Sequence, residues 1–352
     1  MTPSLAKLLA GRQAVAFGAG EYFGRYCERS AEAFAYFVDD ALAGGNLSGR
    51  AILPVSALRA DVDKVVVFLF CRDYGSALLQ LASLGFTWGK NVFDARWFGD
   101  GTHVGESYQV YASWEELAAS SKAEVHLAAG AHWKSGRIVL RTLPSGPPAG
   151  VFLAEGAMLI TGDLLISSGT RLSVGRSGLV DLAGGVELPG EFSLNGSLGS
   201  RVTVGAGVIF SPHSVVNTAS YTRIDIGDGA TFGPHLDLYA YAPVSIGAGV
   251  MVSSYVFVAS GSGHDLVVQG EARPPRPVLL GERVWVGWGA RLLGGAELGE
   301  GCMVAASSMV NRCFPTRTLV GGVPAKALQG GIRWDRDYRA YKKLFYPRKQ
   351  ER

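Results

Sequence analysis

Residues 280–314 read LGERVWVGWGARLLGGAELGEGCMVAASSMVNRCF, and a large aliphatic residue falls on every sixth position: Leu280, Val286, Leu292, Leu298, Val304 and Val310. Four places after each of the first five stands a small or compact residue, Val284, Ala290, Ala296, Cys302 and Ser308. A helix repeats every 3.6 residues and an amphipathic strand every two, so neither produces this spacing. A period of six belongs to a β-helix, whose flat coils bury their apolar residues only against stacked neighbours. Three hexads close a triangular coil of about 18 residues.

The ladder extends upstream. Val180, Val186, Phe192, Leu198, Val204, Phe210 and Val216 share one frame, and Ala154, Ile160, Ile166 and Leu172 an earlier one offset by two. Ile226, Phe232 and Leu238, then Ile246, Val252 and Val258, follow after short insertions. Gly directly follows the aliphatic residue in several hexads, where a sharp corner between flat strands favours it. About eight coils are expected between roughly residues 138 and 315.

The length of 352 residues suggests two domains, and a 48% hydrophobic content is ample for buried cores. The longest wholly apolar run, 65–71, is far too short to span a bilayer, and residues 1–12 lack the apolar centre of a signal peptide. Four cysteines (27, 71, 302 and 313) without metal-type spacing suggest reduced thiols and a cytoplasmic protein. Eight Lys or Arg against three Asp or Glu in 331–352 give the tail +5 of the net +3, leaving −2 for the rest. That distribution argues against nucleic-acid binding and fits a solvated, partly helical end.

Residues 12–98 alternate strands and helices in the manner of half a doubly wound sheet. A strand at 14–17 runs into Gly18-Ala-Gly20-Glu-Tyr-Phe-Gly24 and a helix, and a second strand at 34–38 ends in Asp39-Asp40. A turn and short helix at 54–58, a buried parallel-type strand at 64–70 and a helix at 74–85 complete the unit. A Gly-rich strand-to-helix turn offers backbone N–H groups to phosphate, and Asp39 stands where a ribose or base donor is met. Gly18, Gly20, Gly24 and Asp39 are therefore a candidate nucleotide or nucleotide-sugar site. The spacing GxGxxxG and the small size of the unit argue against NAD. The bland alternative is a close packing turn with Asp39-Asp40 as a solvated strand end. Ser113-Trp-Glu-Glu116 marks a capped short helix in the connection that follows.

Between Val258 and Leu280 the ladder breaks for an excursion that carries His264-Asp265 and ends in Arg273-Pro-Pro-Arg276-Pro277. Loops on a rigid solenoid are where function tends to sit. From residue 262 to 328 the order of motifs is Gly263-His264, Arg276-Pro277-Val278, Gly281-Glu-Arg-Val-Trp285-Val-Gly287, Leu298-Gly299-Glu-Gly301, Val304-Ala-Ala-Ser-Ser-Met-Val310 and Gly321-Gly-Val-Pro-Ala-Lys326. That series resembles the hexapeptide-repeat O-acetyltransferases, the group of maltose, galactoside and capsular polysaccharide acetyltransferases.

The resemblance implies a left-handed parallel β-helix, acetyl-CoA as co-substrate, a sugar hydroxyl as acceptor, no metal, and a homotrimer with sites between subunits. It makes His264 the general base, a role suited to a neutral imidazole facing a poorly nucleophilic alcohol. It assigns Gly287, Trp288 and Ala306 to pantetheine, with Asn311, Arg312 and Lys326 near the nucleotide. Where the family usually has Thr-Lys-Asp, this chain has Asn311-Arg312-Cys313; Arg312 still suits phosphate, but the Asp role is unfilled. Trp285 is either a wall of the acyl site or external packing. His213, His235 and Tyr255 share one phase of the repeat, which stacks them on one face. His235, Asp237 and Tyr255 are the expected acceptor pocket, and Trp285 joins them as a candidate.

The front unit resembles the nucleotide-sugar domains of bacterial amino-sugar N-acetyltransferases, although those carry a Gly-Gly-His turn where Glu21 and Tyr22 stand here. An N-acetyltransferase acting on a nucleotide-linked amino sugar and a non-catalytic β-helix scaffold are therefore alternatives. A three-His zinc enzyme is disfavoured because His264 has no neighbouring His. The expected organisation is a Rossmann-like domain at 1–100, a linker with a short helix at 101–136, the β-helix at 137–315 with its loop at 262–279, and a short helical tail at 316–352.

Overall fold

A computed structural model describes residues 9, 11–20, 23, 28–71, 74–87, 90–94, 107–142, 146–264, 267–268 and 271–336. The front unit is a six-stranded sheet of β1 (Gln13–Phe17), β2 (Tyr36–Val38), β3 (Asn46–Leu47), β4 (Arg50–Leu53), β5 (Val65–Leu69) and β6 (Val92–Asp94). Its order is β3-β4-β2-β1-β5-β6, parallel except for the β3–β4 hairpin. β5 is buried at every position, as its unbroken Val/Phe/Leu run requires. Phe23, Phe34, Phe37, Phe68 and Phe70 pack edge to face on one side. Helix α1 (Tyr74–Ser83) covers the other.

The remainder is a parallel β-solenoid with three faces. Face I contains Ile138–Thr142, Leu164–Ser167, Val186–Leu188 and, further along, Thr231–Phe232, Met251–Val252, Trp285–Val286, Met303–Val304 and Leu319–Gly322. Face II is a nine-stranded sheet from Ala123–Leu127 to Met309–Val310, and face III a nine-stranded sheet from His132–Ser135 to Cys313–Phe314. Every first-place aliphatic of 280–310, and each compact residue four places on, is buried. Each such Val or Leu contributes about 1.5–3 kcal/mol.

Several expectations need correction. The solenoid does not wait for residue 137. It begins at Ala123 and runs past 315, its last face I strand (Leu319–Gly322) folding back as a hairpin with Ala325–Gln329. The segment expected as a linker is part of the solenoid: Ser107–Tyr111 pairs antiparallel with Ile138–Thr142. Helix α2 (Trp114–Ala119) closes the end of the core through buried Leu117, with Trp114 stacked on Trp133 at 5.9 Å. The capping box is not made: Glu116 accepts from the N–H of Ala112, one residue before the N-cap, at 2.6 Å, and Ser113 makes no side-chain cap.

The early frame is misphased at its first two positions, while Ile166 and Leu172 are buried as expected. Leu153 and Leu159 face inward, whereas Ala154 and Ile160 are half-buried, and Leu198 stands exposed at a corner. The cause is coil length. Trp285 pairs with Met303, three hexads on, but Thr203 pairs with Asp225, beyond the three-hexad step, so sixes drift in the longer coils.

The two units join directly. Val139 and Leu165 on the outer side of face I pack in one cluster with Leu78 and Leu81 of α1. Arg137 bridges them, donating to the Leu79 carbonyl at 3.2 Å and to Asp163 at 2.8 Å. That pairing holds the Asp163 carboxyl below its usual range.

In place of a helical tail, the described residues 331–336 form a strap along face I. Trp334 packs on Trp285 at 5.7 Å, and Arg336 donates to the carbonyls of Gly229, Gly249 and Val250. Residues 337–352, where the helix was expected, lie outside the described residues. Among the described residues no helix is long and apolar enough to cross a membrane.

Candidate active site

His264 sits exposed on the excursion that leaves face II at its far edge, after Phe257–Ala259. The root of that loop is rigid. The buried Ser260 hydroxyl accepts from the N–H groups of Tyr241 and Ala242, each at 2.8 Å, and donates to the Ala242 carbonyl at 2.7 Å. The loop closes where the Arg276 N–H donates to the Ser260 carbonyl at 3.0 Å. The Arg276 guanidinium meets the Gly294 carbonyl at 2.7 Å. Gly263 has φ +73°, and a Cβ there would lie 2.8 Å from the Tyr241 hydroxyl, so only Gly lets the chain turn out to His264. Ser262 brackets His264 by accepting from its N–H and donating to its carbonyl, which leaves the imidazole without a protein partner among the described residues. Asp265 lies outside the described residues.

A second group lies at the opposite edge of face II, on the corner between faces I and II. His213, His235 and Tyr255 occupy that corner on successive coils with φ of 59°, 61° and 60°. The left-handed backbone costs an L residue about 1–2 kcal/mol. It also projects each ring outward in register. His213 and His235 stack at 4.7 Å, His235 and Tyr255 at 4.4 Å, and Tyr255 leans on Trp288 at 5.6 Å. At the foot of the column Glu191 pairs with His213. Beside its upper end is a pocket of about 630 Å³ lined by Asp237, Tyr255, Phe257, Trp288, Arg291 and Ser307. Burial, with Asp237 nearby, pushes the neighbouring Tyr239 phenol up from its ordinary value.

The structure thus brings His235, Asp237, Tyr255 and Trp288 together, and adds Phe257 and Arg291, which the sequence reading missed. Their signal was available: Asp237, Phe257 and Arg291 are register partners on adjacent strands of face II. Trp285 does not join them. It lies on face I under Trp334, its indole donating to Ser253 at 3.4 Å.

The expected cofactor residues also divide. Gly287, Trp288 and Ala306 lie on the same corner as the ring column, and a Cβ on Gly287 would come within 2.8 Å of the Ala306 nitrogen. Lys326 is just above, because its hairpin is tied down by the Gly322 N–H on the Ser308 hydroxyl at 3.1 Å. Asn311 and Arg312 instead lie at the His264 edge, where Arg276 reaches the Asn311 carbonyl at 3.5 Å.

At the front unit the carboxylates are used within the fold. Asp39 accepts from Ala19 at 3.0 Å and from Ala41 and Leu42, while Asp40 accepts from Val55 and Gln80. Gly18 is required by packing, since a Cβ would stand 2.5 Å from the Phe70 carbonyl. Nothing crowds Gly20, and Gly24 lies outside the described residues. Among the described residues no three His, Cys, Asp or Glu side chains group to hold a metal.

A parallel β-solenoid thus carries, on a projecting loop, an imidazole that has no protein partner among the described residues. No known family profile matches the chain. Over 97 residues it is 31% identical to the Escherichia coli (strain K12) protein WbbJ, whose name provisionally assigns it to lipopolysaccharide biosynthesis as an O-acetyl transferase; the match covers 24% of this chain and 50% of WbbJ. Over 69 residues it is 36% identical to the 2,3,4,5-tetrahydropyridine-2,6-dicarboxylate N-acetyltransferase of Staphylococcus aureus (strain bovine RF122 / ET3-1), covering 19% of this chain and 29% of that one. Among solved structures, the polySia specific acetyltransferase NeuO superposes with a TM-score of 0.43 at 18% identity, covering 66% of this chain and 95% of that chain. The chain spans about half the length of the curated relatives it matches first. It resembles the hexapeptide-repeat acetyltransferases, and its relatives include both O- and N-acetyl transferases.

Proposed function

We propose that the protein transfers an acetyl group from acetyl-CoA to a sugar hydroxyl in cytoplasmic steps of surface-glycan assembly, with His264 as general base. The observation that carries this reading is an imidazole, unpartnered among the described residues, on a loop whose two roots are fixed by Ser260 and Arg276. The neutral ring takes the hydroxyl proton as the oxygen attacks the thioester carbonyl. Backbone N–H groups meet the oxyanion, the C–S bond breaks, and the imidazolium returns its proton to the departing thiolate. Acetyl-CoA lies along the corner at Gly287, Trp288 and Ala306, with Lys326, Asn311 and Arg312 serving its phosphates.

His264, Asn311 and Arg312 stand on one edge of face II, and the ring column and Gly287 on the other. The strand between, Asp237–Ala240, spans ~10 Å at ~3.3 Å per residue. This separation supports a site completed between copies, in a homotrimer. In the front unit, internal use of Asp39 and Asp40 favours a turn-locking role over the nucleotide-sugar contact that a Rossmann-like domain would make. Similarity to an N-acetyltransferase supports a second reading in which the acceptor is an amine, here the amine of a nucleotide-linked amino sugar as the resemblance of the front unit implies.

An acceptor screen with acetyl-CoA, scored by thiol release in wild type and His264→Ala, tests both. Release with hydroxyl acceptors that vanishes in the variant is the expected result. Release only with amino sugars selects the second reading. No release together with no acetyl-CoA binding removes both and leaves a scaffold.

A further inference from the structure

We propose that the acceptor is an acidic oligosaccharide, held with one carboxylate on Arg291 and its following units along the ring column at the corner of faces I and II. The proposal rests on the acetyl-transfer reading for its consequence, but its observations are separate. Arg291 is exposed in the pocket beside Tyr255, Phe257 and Trp288, and its guanidinium has no carboxylate or carbonyl partner among the described residues. A free planar fork between aromatic walls matches a carboxylate in two parallel hydrogen bonds.

Asp237, the other charged group in the pocket, is two strands away through Phe257, at ~10 Å for two ~4.8 Å steps. No ion pair joins it to Arg291 among the described residues, and its repulsion steers an acid group to the Arg291 end. Asp237 itself suits a sugar hydroxyl, which donates to it.

The column then gives the site length. Trp288, Tyr255, His235 and His213 present their edges on four consecutive levels, spanning ~15 Å at ~4.8 Å per step. Indole N–H, phenol and two imidazoles offer hydrogen bonds along an open ridge, where a chain of sugars fits and a lone monosaccharide leaves most of the ridge unused. Tyr255 and Trp288 are 53% and 55% exposed, large aromatic surfaces left in water beside a pocket. Glu191, paired with His213, places a carboxylate at the foot and ends the track for an anionic chain. A nucleotide diphosphate fits less well, because the pocket lining supplies a single cation.

Binding of oligogalacturonate and hyaluronan fragments, against malto- and chito-oligosaccharides of equal length and a UDP-sugar, tests the proposal without turnover. Acidic hexasaccharides are expected to bind at least tenfold more tightly than neutral ones, and more weakly as salt rises. Arg291→Gln should erase that preference and Arg291→Lys restore part of it. His213→Asn, which tolerates the same backbone, should weaken the acidic hexasaccharide several-fold and leave the disaccharide unchanged. Acetyl-CoA affinity should stay at the wild-type value in every variant.

Equal binding of neutral and acidic sugars overturns the proposal, as does affinity independent of chain length. So does a UDP-sugar as the tightest, Arg291-dependent ligand, or a loss of acetyl-CoA affinity in Arg291→Gln, which would assign Arg291 to the donor. Acidic-sugar binding without acetyl-CoA binding would instead remove the transferase reading and leave this site standing.

Discussion

At the scale of single residues, the proposed base His264 holds little of the fold. Its side chain is exposed and its hydrogen bonds with Ser262 run through its backbone, so His264→Ala should melt where the wild type melts. Loss of the base should lower the rate of acetyl transfer ~10²–10⁴-fold. Stopped-turnover thiol release and a melting curve on the same sample check both halves; retained activity removes the general base. Two thiols at this scale make a contrast. Cys302 is fully buried and its Sγ–H donates to the Pro315 carbonyl at 2.9 Å, while Cys313 is exposed and donates to Glu297 at 3.2 Å. The bond to Glu297, aided by that carboxylate's charge, raises the Cys313 thiol above its ordinary value. A raised pKa means less thiolate at neutral pH, and thiolate is the species that alkylates. The rate of Cys313 labelling should therefore climb only at more alkaline pH than for a free thiol. Glu297→Gln should move that rise back toward neutrality, and an unshifted profile would show that the carboxylate plays no part.

At the scale of elements, the strap 331–336 shows why a sequence pattern reveals some parts of this molecule and hides others. Coils of three hexads announce themselves between Leu280 and Val310, because each buried aliphatic is six places from the next. Coils that run past three hexads do not keep that beat, so Ala154 and Ile160 read as core although Leu153 and Leu159 fill it. The strap has no period at all. Its contacts are long-range: Arg336 reaches Gly229, more than a hundred residues back, and Trp334 reaches Trp285. The guanidinium takes carbonyls from two coils, Gly229 on one and Gly249 and Val250 on the next, which only a planar fork spans. Removing it with Arg336→Ala should cost about 1–2 kcal/mol. In a chain of this size that lowers Tm by ~1–3 °C. Trp334→Ala should lose the indole pair, worth about 0.5–1.5 kcal/mol beyond its area. Arg336→Lys should rescue little. Melting curves of the three variants decide it, and equal Tm values would mean that the strap rests on the prism without stabilising it.

At the scale of the whole molecule, the legible and the hidden meet in the site. Motif order pointed to His264, and equal phase in the repeat pointed to the stacked rings of His235 and Tyr255. What a linear reading could not supply was that the loop leaves the far end of the strand that begins just beyond Tyr255, which sets a face-width between the base and the expected donor groove. On the proposed reading, one chain therefore holds two half-sites on opposite edges of face II. In a closed rotational assembly each edge of one copy meets the other edge of its neighbour, so in the proposed homotrimer a site takes His264 from one subunit and the Gly287 corner from the next. Gly287→Val spoils the second half alone, because a side chain there collides with the Val304 carbonyl and the Ala306 nitrogen of the adjoining coil. His264→Ala spoils the first. Each variant by itself should be inactive. Unfolded together, mixed in equal amounts and refolded, they should recover about a quarter of wild-type turnover, since half of the subunits supply each intact edge and pairing is random. The same variants refolded apart and mixed afterwards should stay inactive. If co-refolding recovers nothing while both variants assemble normally, each chain works alone and the imidazole must reach the groove by a movement of its own loop.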